Sequence, residues 1–239
     1  MIKDYSKFIE KCIDDSRNQI CSLANYYNSH SSGRTRKPAE KVRNLISDTK
    51  PHPMSTEITQ NLLNNLCSFG DARYLEIGVL HGASYFAAAY KNAGHFYGID
   101  DWSKYEDKRK HIEANIEIHS NDATKFYFFN EDCWNLDLSK VKHKINVFFY
   151  DGDHSKGSQE RYLKHFDSIL DDEIILIVDD YFNTGLDFSM KDSTKRCIEK
   201  SSFEIVCEYE LQNKPRTPSR VDNTWHEGFY LAHLKRKIT

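Results

Sequence analysis

The sequence predicts an α/β fold built on a doubly wound, mostly parallel seven-stranded sheet, with a helical arm in front of it. Short apolar segments alternate with helical segments along most of the chain, which is typical of parallel strands joined by crossover helices. Two of these segments are apolar almost throughout, as expected for strands buried on both faces. The last two strand segments follow one another without a helix between them, which predicts an antiparallel pair at one edge.

The chain opens with apolar residues at helical spacing up to about residue 27, followed by the Ser, Gly and Pro of YYNSHSSGRTRKP. We therefore predict an N-terminal helical arm and linker over residues 1–36 and the main domain over residues 37–239. Whether the arm covers a site or builds a dimer stays open. A second helix is predicted to begin at Ser55 or Thr56 and to end at Gly70.

The core pattern follows this helix. Five predicted strands come in the order YLEIG, HFYGID, FYFF, INVFFYD and EIILIVDD. The predicted helices between and after them are ASYFAAAYKNA, EDKRKHIEANIEI, SQERYLKHFDSIL and SMKDSTKRCIEK. The closing antiparallel pair is FEIVCEYEL and EGFYLAHLKR, joined by a polar loop.

Composition excludes several classes of function. The chain has 239 residues, 39% of them hydrophobic, and a formal net charge of -3, so no overall positive field favours nucleic acid or an anionic membrane. It begins without an apolar signal segment, and we expect a cytoplasmic protein. The six cysteines are scattered without a CxxC pair, which predicts free thiols instead of a zinc site or disulfides.

Acidic residues stand where the predicted strands end. In open α/β sheets ligands bind beyond the carboxyl ends of the strands, so acids collected there indicate a site. A single carboxylate in this position often caps the next helix, whereas a series in register is harder to explain by capping. The acids in question are Glu76, Asp100, Asp132, Asp151, Asp153, Asp179 and Asp180.

The first strand leads into an E-x-G-x-x-x-G spacing with Gly78 and Gly82. Glycines there allow the backbone to pass close beneath a ligand. Leu80 takes the place of the second glycine in a dinucleotide fingerprint, which argues against a nicotinamide oxidoreductase. Asp100 ends the second strand, where a carboxylate can bind two vicinal ribose hydroxyls.

Three motifs of the sequence resemble those of class I S-adenosylmethionine-dependent methyltransferases; they are YLEIGVLHGAS, INVFFYDGDHS and ILIVDDY. More narrowly, they resemble the motifs of the metal-dependent sugar O-methyltransferases of the macrocin and aminocoumarin type. The resemblance spans about residues 55–235 and implies a Rossmann-like fold. It implies that the donor is held by Glu76, Gly78, Gly82, Ser84, Asp100, Asp132, Cys133 and Asp151. It also implies a magnesium or manganese ion on Asp151, Asp179 and Asp180.

The expected closeness of the carboxylates after the fourth and fifth strands requires a group that neutralises their charge. Two carboxylates ~4 Å apart repel by about 4 kcal/mol at an effective dielectric near 20. A shared proton, a Lys or Arg, or a divalent cation would relieve that repulsion, and the residues alone do not decide among them. The base that takes the acceptor's proton is Asp153 by resemblance, with His154 as the alternative because its pKa suits neutral pH.

The acceptor is expected to be a sugar or glycan hydroxyl, with a catechol or other vicinal diol as the alternative. A catalytically silent nucleoside-binding protein is a further possibility, and a homo-oligomer is possible. Aromatic residues that follow the strands would stack on the acceptor or pack in the core; these are Trp102, Tyr105, Tyr181, Phe182 and Trp225. Lys214, Arg216 and Arg220 would meet a phosphate or form a solvated hairpin tip.

Overall fold

The computed structural model describes residue 2 and residues 4–18, 55–212, 225 and 227–238. The predicted boundary near residue 36 and the cations Lys214, Arg216 and Arg220 lie outside these residues. The described cysteines are free thiols, and Cys12, Cys67 and Cys197 are buried. None of the described helices is both long and apolar enough to cross a membrane.

The helices and strands follow the predicted alternation. In chain order they are α1 (Tyr5–Arg17), α2 (Glu57–Leu66), β1 (Ala72–Ile77), α3 (Ala83–Ala89), β2 (Gly94–Ile99), α4 (Arg109–His119), β3 (Thr124–Phe129), β4 (Ile145–Tyr150), α5 (Lys156–Gln159), α6 (Tyr162–Phe166), β5 (Leu170–Val178), α7 (Met190–Glu199), β6 (Phe203–Leu211) and β7 (Phe229–Arg236). Short 3₁₀ turns at Leu138–Lys140 and Asp167–Ile169 precede β4 and β5.

The strands form one seven-stranded sheet in the order β3-β2-β1-β4-β5-β7-β6. All neighbours up to β5 are parallel, and β7 is antiparallel to both β5 and β6. The predicted sheet and its antiparallel C-terminal pair are therefore confirmed. Strand order reverses direction between β1 and β4, which is the place where such sheets bind ligands.

Two apolar layers cover the sheet, because side chains alternate between its faces. On one face α1, α2 and α3 pack against strand residues that include Tyr74, Phe96, Val147 and Phe149. On the other face α6 and α7 pack against residues that include Leu75, Tyr97, Phe148 and Tyr150. Strand β4 is buried along its whole length, as its sequence predicts.

Helix ends follow local signals. Asp4 caps α1 and Thr56 caps α2, each by accepting a backbone N–H from the residue three positions on. The segment 158–170, predicted as one helix, is instead two short helices and a 3₁₀ turn that leads into β5 at Leu170. Leu170 already pairs with Ile145 of β4, so sheet pairing overrides helical propensity there.

Candidate active site

A cavity of about 420 Å³ opens at the carboxyl ends of β1, β2, β3, β4 and β5. Its size is within the range of small-molecule sites. The expected convergence of the acidic strand ends is thus present in the fold. The lining residues with titratable side chains are Asp100, Asp101, Lys104, Tyr105, Glu131, Asp132, Cys133, Asp151, Asp153, His154, Asp179 and Asp180.

Gly78 lines this cavity where β1 ends. Its backbone has a φ of +87°, and a Cβ built on it would stand 2.0 Å from the carbonyl oxygen of Asp151. Only glycine fits this approach of the β1 and β4 ends, because any side chain would collide with backbone. The close approach joins the first and fourth strand ends into one wall.

Asp100 is held by backbone donors from both sides. Its Oδ2 accepts the N–H of Leu80 at 2.6 Å, and its Oδ1 accepts the N–H of Trp102 at 2.8 Å. Trp102 also donates its Nε1–H to the Leu80 carbonyl oxygen at 3.0 Å. Burial raises the pKa of Asp100, although the backbone hydrogen bonds oppose the shift. Each carboxylate oxygen can accept a further hydrogen bond, so the group remains suited to ribose hydroxyls.

Strained backbone is concentrated at this cavity. Leu80, Trp102 and Asp180 line it and have φ values of +48°, +50° and +53°. Such conformations cost energy in residues other than glycine and are frequent at functional sites. Leu80 therefore adopts, without being glycine, a left-handed conformation at the position where a dinucleotide fingerprint has its second glycine.

The wall after β3 contains Asp132, Cys133 and Trp134. Asp132 Oδ1 accepts the Trp134 N–H at 3.0 Å, and His165 Nε2 lies 3.1 Å from the Cys133 carbonyl oxygen, to which it donates. The Arg161 guanidinium carbon lies 3.8 Å from the centre of the Trp134 ring. Neighbouring helices thus fix the wall that was expected to face the adenine. The sequence analysis did not single out Trp134.

Asp151, Asp179 and Asp180 come together at the ends of β4 and β5. Burial and the charges of Asp179 and Asp180 raise the pKa of Asp151 well above its ordinary value, and Asp151 shares a side-chain hydrogen bond with Asp179. His154 Nε2 lies 3.4 Å from Asp180 Oδ2. The predicted proximity of the trio is present, and the raised pKa of Asp151 reflects its burial and the two neighbouring carboxylates.

The three carboxylates have the chemistry of a magnesium or manganese site, since both ions prefer oxygen ligands. Among the described residues, however, no group of three or more His, Cys, Asp or Glu side chains is placed to hold one metal ion. The donor set suits the ion, whereas the side chains as they lie do not converge on a common point. The metal stays a prediction.

Asp153 is engaged by neighbours. Lys104 Nζ donates to its Oδ1 at 2.9 Å, and the Ser158 hydroxyl donates to its Oδ2 at 3.0 Å. Although burial acts to raise it, the pKa of Asp153 is held well below its usual range by hydrogen bonds from Ser155, Lys104 and Ser158. A carboxylate of such low basicity takes up a proton poorly at neutral pH. These contacts favour His154 over Asp153 as the base.

Glu76, Gly82 and Ser84 do not line the main cavity. Glu76 is fully buried and accepts hydrogen bonds from the Tyr74 and Ser84 hydroxyls. Ser84 lines a small recess of about 10 Å³, together with Ser55, Thr56 and Thr59. Asp151 and Asp179 line both spaces, so the recess lies next to the cavity across these two acids.

The match to known families covers this region. Residues 75–181 match the family described as "Methyltransferase domain". The matched segment runs from within β1 to the residue after Asp180 and contains every described residue that lines the cavity. The expected enzyme class agrees with this finding. No curated protein matches the chain significantly.

Solved structures share the fold of this chain at low sequence identity. A putative O-methyltransferase from Klebsiella pneumoniae is 17% identical, with 92% of this chain and 99% of that chain covered and a TM-score of 0.55. The O-methyltransferase TomG from Streptomyces achromogenes, involved in tomaymycin synthesis and solved in complex with SAM, is 15% identical, with 92% and 98% covered and a TM-score of 0.56. A protein from Corynebacterium glutamicum is 14% identical, with 91% and 96% covered and a TM-score of 0.57.

Proposed function

We propose that this protein is an S-adenosylmethionine-dependent O-methyltransferase that methylates a hydroxyl of a sugar or glycan. The observation that carries the proposal is the acid-lined cavity at the strand ends, built over Gly78, within the segment that matches a methyltransferase domain. The sulfonium donor is a cation, and a cavity whose charged lining residues are mostly carboxylates attracts cations. The resemblance of the three sequence motifs supports the same donor.

Different residues of the cavity wall would bind the ribose, the adenine and the amino-acid end of the donor. Asp100 would accept hydrogen bonds from the ribose hydroxyls, because its carboxylate is fixed by Leu80 and Trp102 in a set orientation. Asp132 and the Cys133 backbone would meet the adenine. The amino-acid end would lie against Gly78 and Asp151 and reach the hydroxyl-lined recess at Ser84. Glu76 would act indirectly, by holding the Ser84 hydroxyl.

Methyl transfer is an in-line displacement in which the acceptor oxygen bonds to the methyl carbon as the carbon–sulfur bond breaks. Most of its acceleration comes from holding the oxygen in line at short distance. His154 would take the hydroxyl proton, because it lines the cavity and its Nε2 lies 3.4 Å from Asp180 Oδ2, which would orient the ring. The hydrogen bonds that Asp153 accepts from Lys104 and Ser158 lower its basicity, which favours His154 over Asp153 in this step.

The finer proposal is that a magnesium or manganese ion assists. Asp151, Asp179 and Asp180 would hold it, supplying the oxygen ligands that these ions prefer. When bound, such an ion lowers the pKa of a hydroxyl and orients its oxygen. The closeness of the three carboxylates at the strand ends supports the proposal, because a bound cation would relieve their mutual repulsion.

The sugar acceptor is supported by the motif resemblance and by one aromatic side chain. Tyr105 lines the cavity and is 57% exposed, so its ring offers a flat face for an acceptor ring. Trp102, Tyr181 and Trp225 are at most 5% exposed and pack in the core, which removes them from direct stacking. Because a catechol would also stack on Tyr105, both acceptor types belong in the test.

The test is methyl transfer from labelled S-adenosylmethionine to a panel of sugars, glycosides and catechols, with chelator and with added magnesium or manganese. We expect a labelled sugar ether that chelator suppresses and the metal restores. Transfer only to catechols would replace the acceptor, and full activity in excess chelator would remove the metal. Binding of S-adenosylhomocysteine without transfer to any acceptor would identify a silent nucleoside-binding protein.

A further inference from the structure

An ion pair joins two sides of the cavity. Lys104 lies in the segment after β2, Asp153 follows β4, and Lys104 Nζ is 2.9 Å from Asp153 Oδ1. Strand β1 lies between β2 and β4 in the sheet. The ion pair therefore bridges the ends of the two strands that flank β1, whose following residue, Gly78, also lines the cavity.

The Asp153 end of the bridge is fixed. The buried Ser158 donates its hydroxyl to Asp153 Oδ2, and the Tyr150 hydroxyl donates to the Asp153 carbonyl oxygen at 3.1 Å. The Lys104 end is exposed: its side chain is 66% accessible, and its neighbours Ser103 and Tyr105 are exposed as well. The buried Trp102 anchors the start of this segment. The lysine is thus the part of the bridge that can swing away.

The charge pattern is consistent with a bridge that serves the cavity. Among the described lining residues, Lys104 is the only Lys or Arg, and it meets Asp153, whose other carboxylate oxygen is already held by the Ser158 hydroxyl. A cation directed at substrate would be expected to lack such a fixed partner. The pair instead closes a gap between two parts of the wall that are 49 residues apart in the chain.

We propose that Lys104 and Asp153 form a strap across the cavity that retains the donor and its demethylated product, with Lys104 as a positioning residue. The inference rests on the proposed function, since it assigns the donor to this cavity. Exposed ion pairs are weak, so the strap opens readily and acts on the dissociation rate more than on whether the ligand binds.

The experiment measures the dissociation rate of S-adenosylhomocysteine by stopped-flow fluorescence, with Trp102 and Trp134 in the cavity wall as reporters. Lys104→Met should release the ligand about two- to fivefold faster, the range expected for one exposed ion pair. Lys104→Arg should release it at nearly the wild-type rate. At about 1 M salt, where screening acts within about 3 Å, wild type and Lys104→Met should converge.

The matched control is Lys200→Met, which removes an ion pair to Glu160 of similar length and exposure, 2.8 Å and 58%, away from the cavity. It should leave the release rate unchanged. Release from Lys104→Met at the wild-type rate, or equal acceleration by Lys200→Met, would overturn the strap while leaving the donor site intact. Absence of binding to the wild-type protein would overturn the proposed function together with it.

Discussion

Acidic residues behave in opposite ways at the β6 edge of the sheet, called here the paired end, and at the cavity beyond the central strands. On β6, Glu208 receives hydrogen bonds from Lys195 and the Tyr230 hydroxyl, and although burial opposes the shift, its pKa is lowered. On the cavity side, Asp151 adjoins Asp179 and Asp180, and its pKa is raised. An acid that forms an ion pair with a lysine contributes to stability, whereas a cluster of neighbouring carboxylates indicates a site that binds a positively charged group.

The largest expected effect follows from removing a gathered acid. Asp151→Asn should lower turnover by about 10²- to 10³-fold, because the site loses a carboxylate at the point where donor and acceptor meet. Its free energy of unfolding should not fall, since asparagine removes like-charge repulsion and can donate a hydrogen bond to Asp179. Steady-state kinetics and chemical denaturation measure the two quantities.

Glu208→Gln is the matched variant at the paired end. It should keep wild-type turnover and lose about 1 kcal/mol of stability, as expected for a partly exposed ion pair and hydrogen bond. If Glu208→Gln reduced turnover as much as Asp151→Asn, the distinction between the two regions would be wrong.

The next largest effect on turnover is expected from the residue that acts as the general base. His154→Ala should lower kcat by about 10²-fold, the lower range for loss of a general base. Asp153→Asn should change kcat much less and should mainly raise KM for the donor, because it loosens the contact with Lys104. The reverse ranking of the two variants would return the role to Asp153.

The buried Glu76 should make the free energy of unfolding depend on pH. Burial raises the pKa of Glu76 to about 8, although hydrogen bonds from Ser84 and Tyr74 oppose the shift. The unfolded chain releases this proton near its ordinary pKa of about 4.5 while the folded protein keeps it. Its contribution to stability is therefore full at low pH and declines as pH rises towards 8, by about 2 to 3 kcal/mol between about pH 5 and pH 7.

Glu76→Gln should flatten this decline, because glutamine has no proton to lose. Urea unfolding at several pH values from about 5 to 8 measures the slope of stability against pH. An equally steep slope in the variant would assign the proton uptake to other groups such as Asp100 or Asp151.

The smallest effect concerns the paired end alone. Tyr230→Phe removes the hydroxyl that donates to Glu208 but keeps the ring, which is stacked on Tyr181 at 5.0 Å. We expect a loss of about 0.5 to 1.5 kcal/mol in unfolding free energy with unchanged kcat. A change in kcat would show that the β6–β7 edge is coupled to the site through Tyr181, the residue after Asp180.

The sequence predicted the sheet well because the period of its apolar residues changes clearly between strands and helices. The strand-end acids were found because parallel strands end at one edge. Two features were out of reach. The first is the complete burial of Glu76, whose side chain lies on the same face of β1 as that of Tyr74. Whether water reaches that face depends on the helices packed over it, which the strand's own sequence does not specify. The contact of Lys104 with Asp153 spans 49 residues and has no local signal.

The central claim is that the acidic strand ends hold the methyl donor, and calorimetric titration with S-adenosylhomocysteine tests it most directly. The wild-type protein and Glu208→Gln should bind with equal affinity. Asp100→Asn should bind at least about tenfold more weakly, because the loss of one carboxylate oxygen removes a hydrogen bond to the ribose at a buried charged group. Equal affinity of all three proteins, or no binding by any of them, would contradict the account.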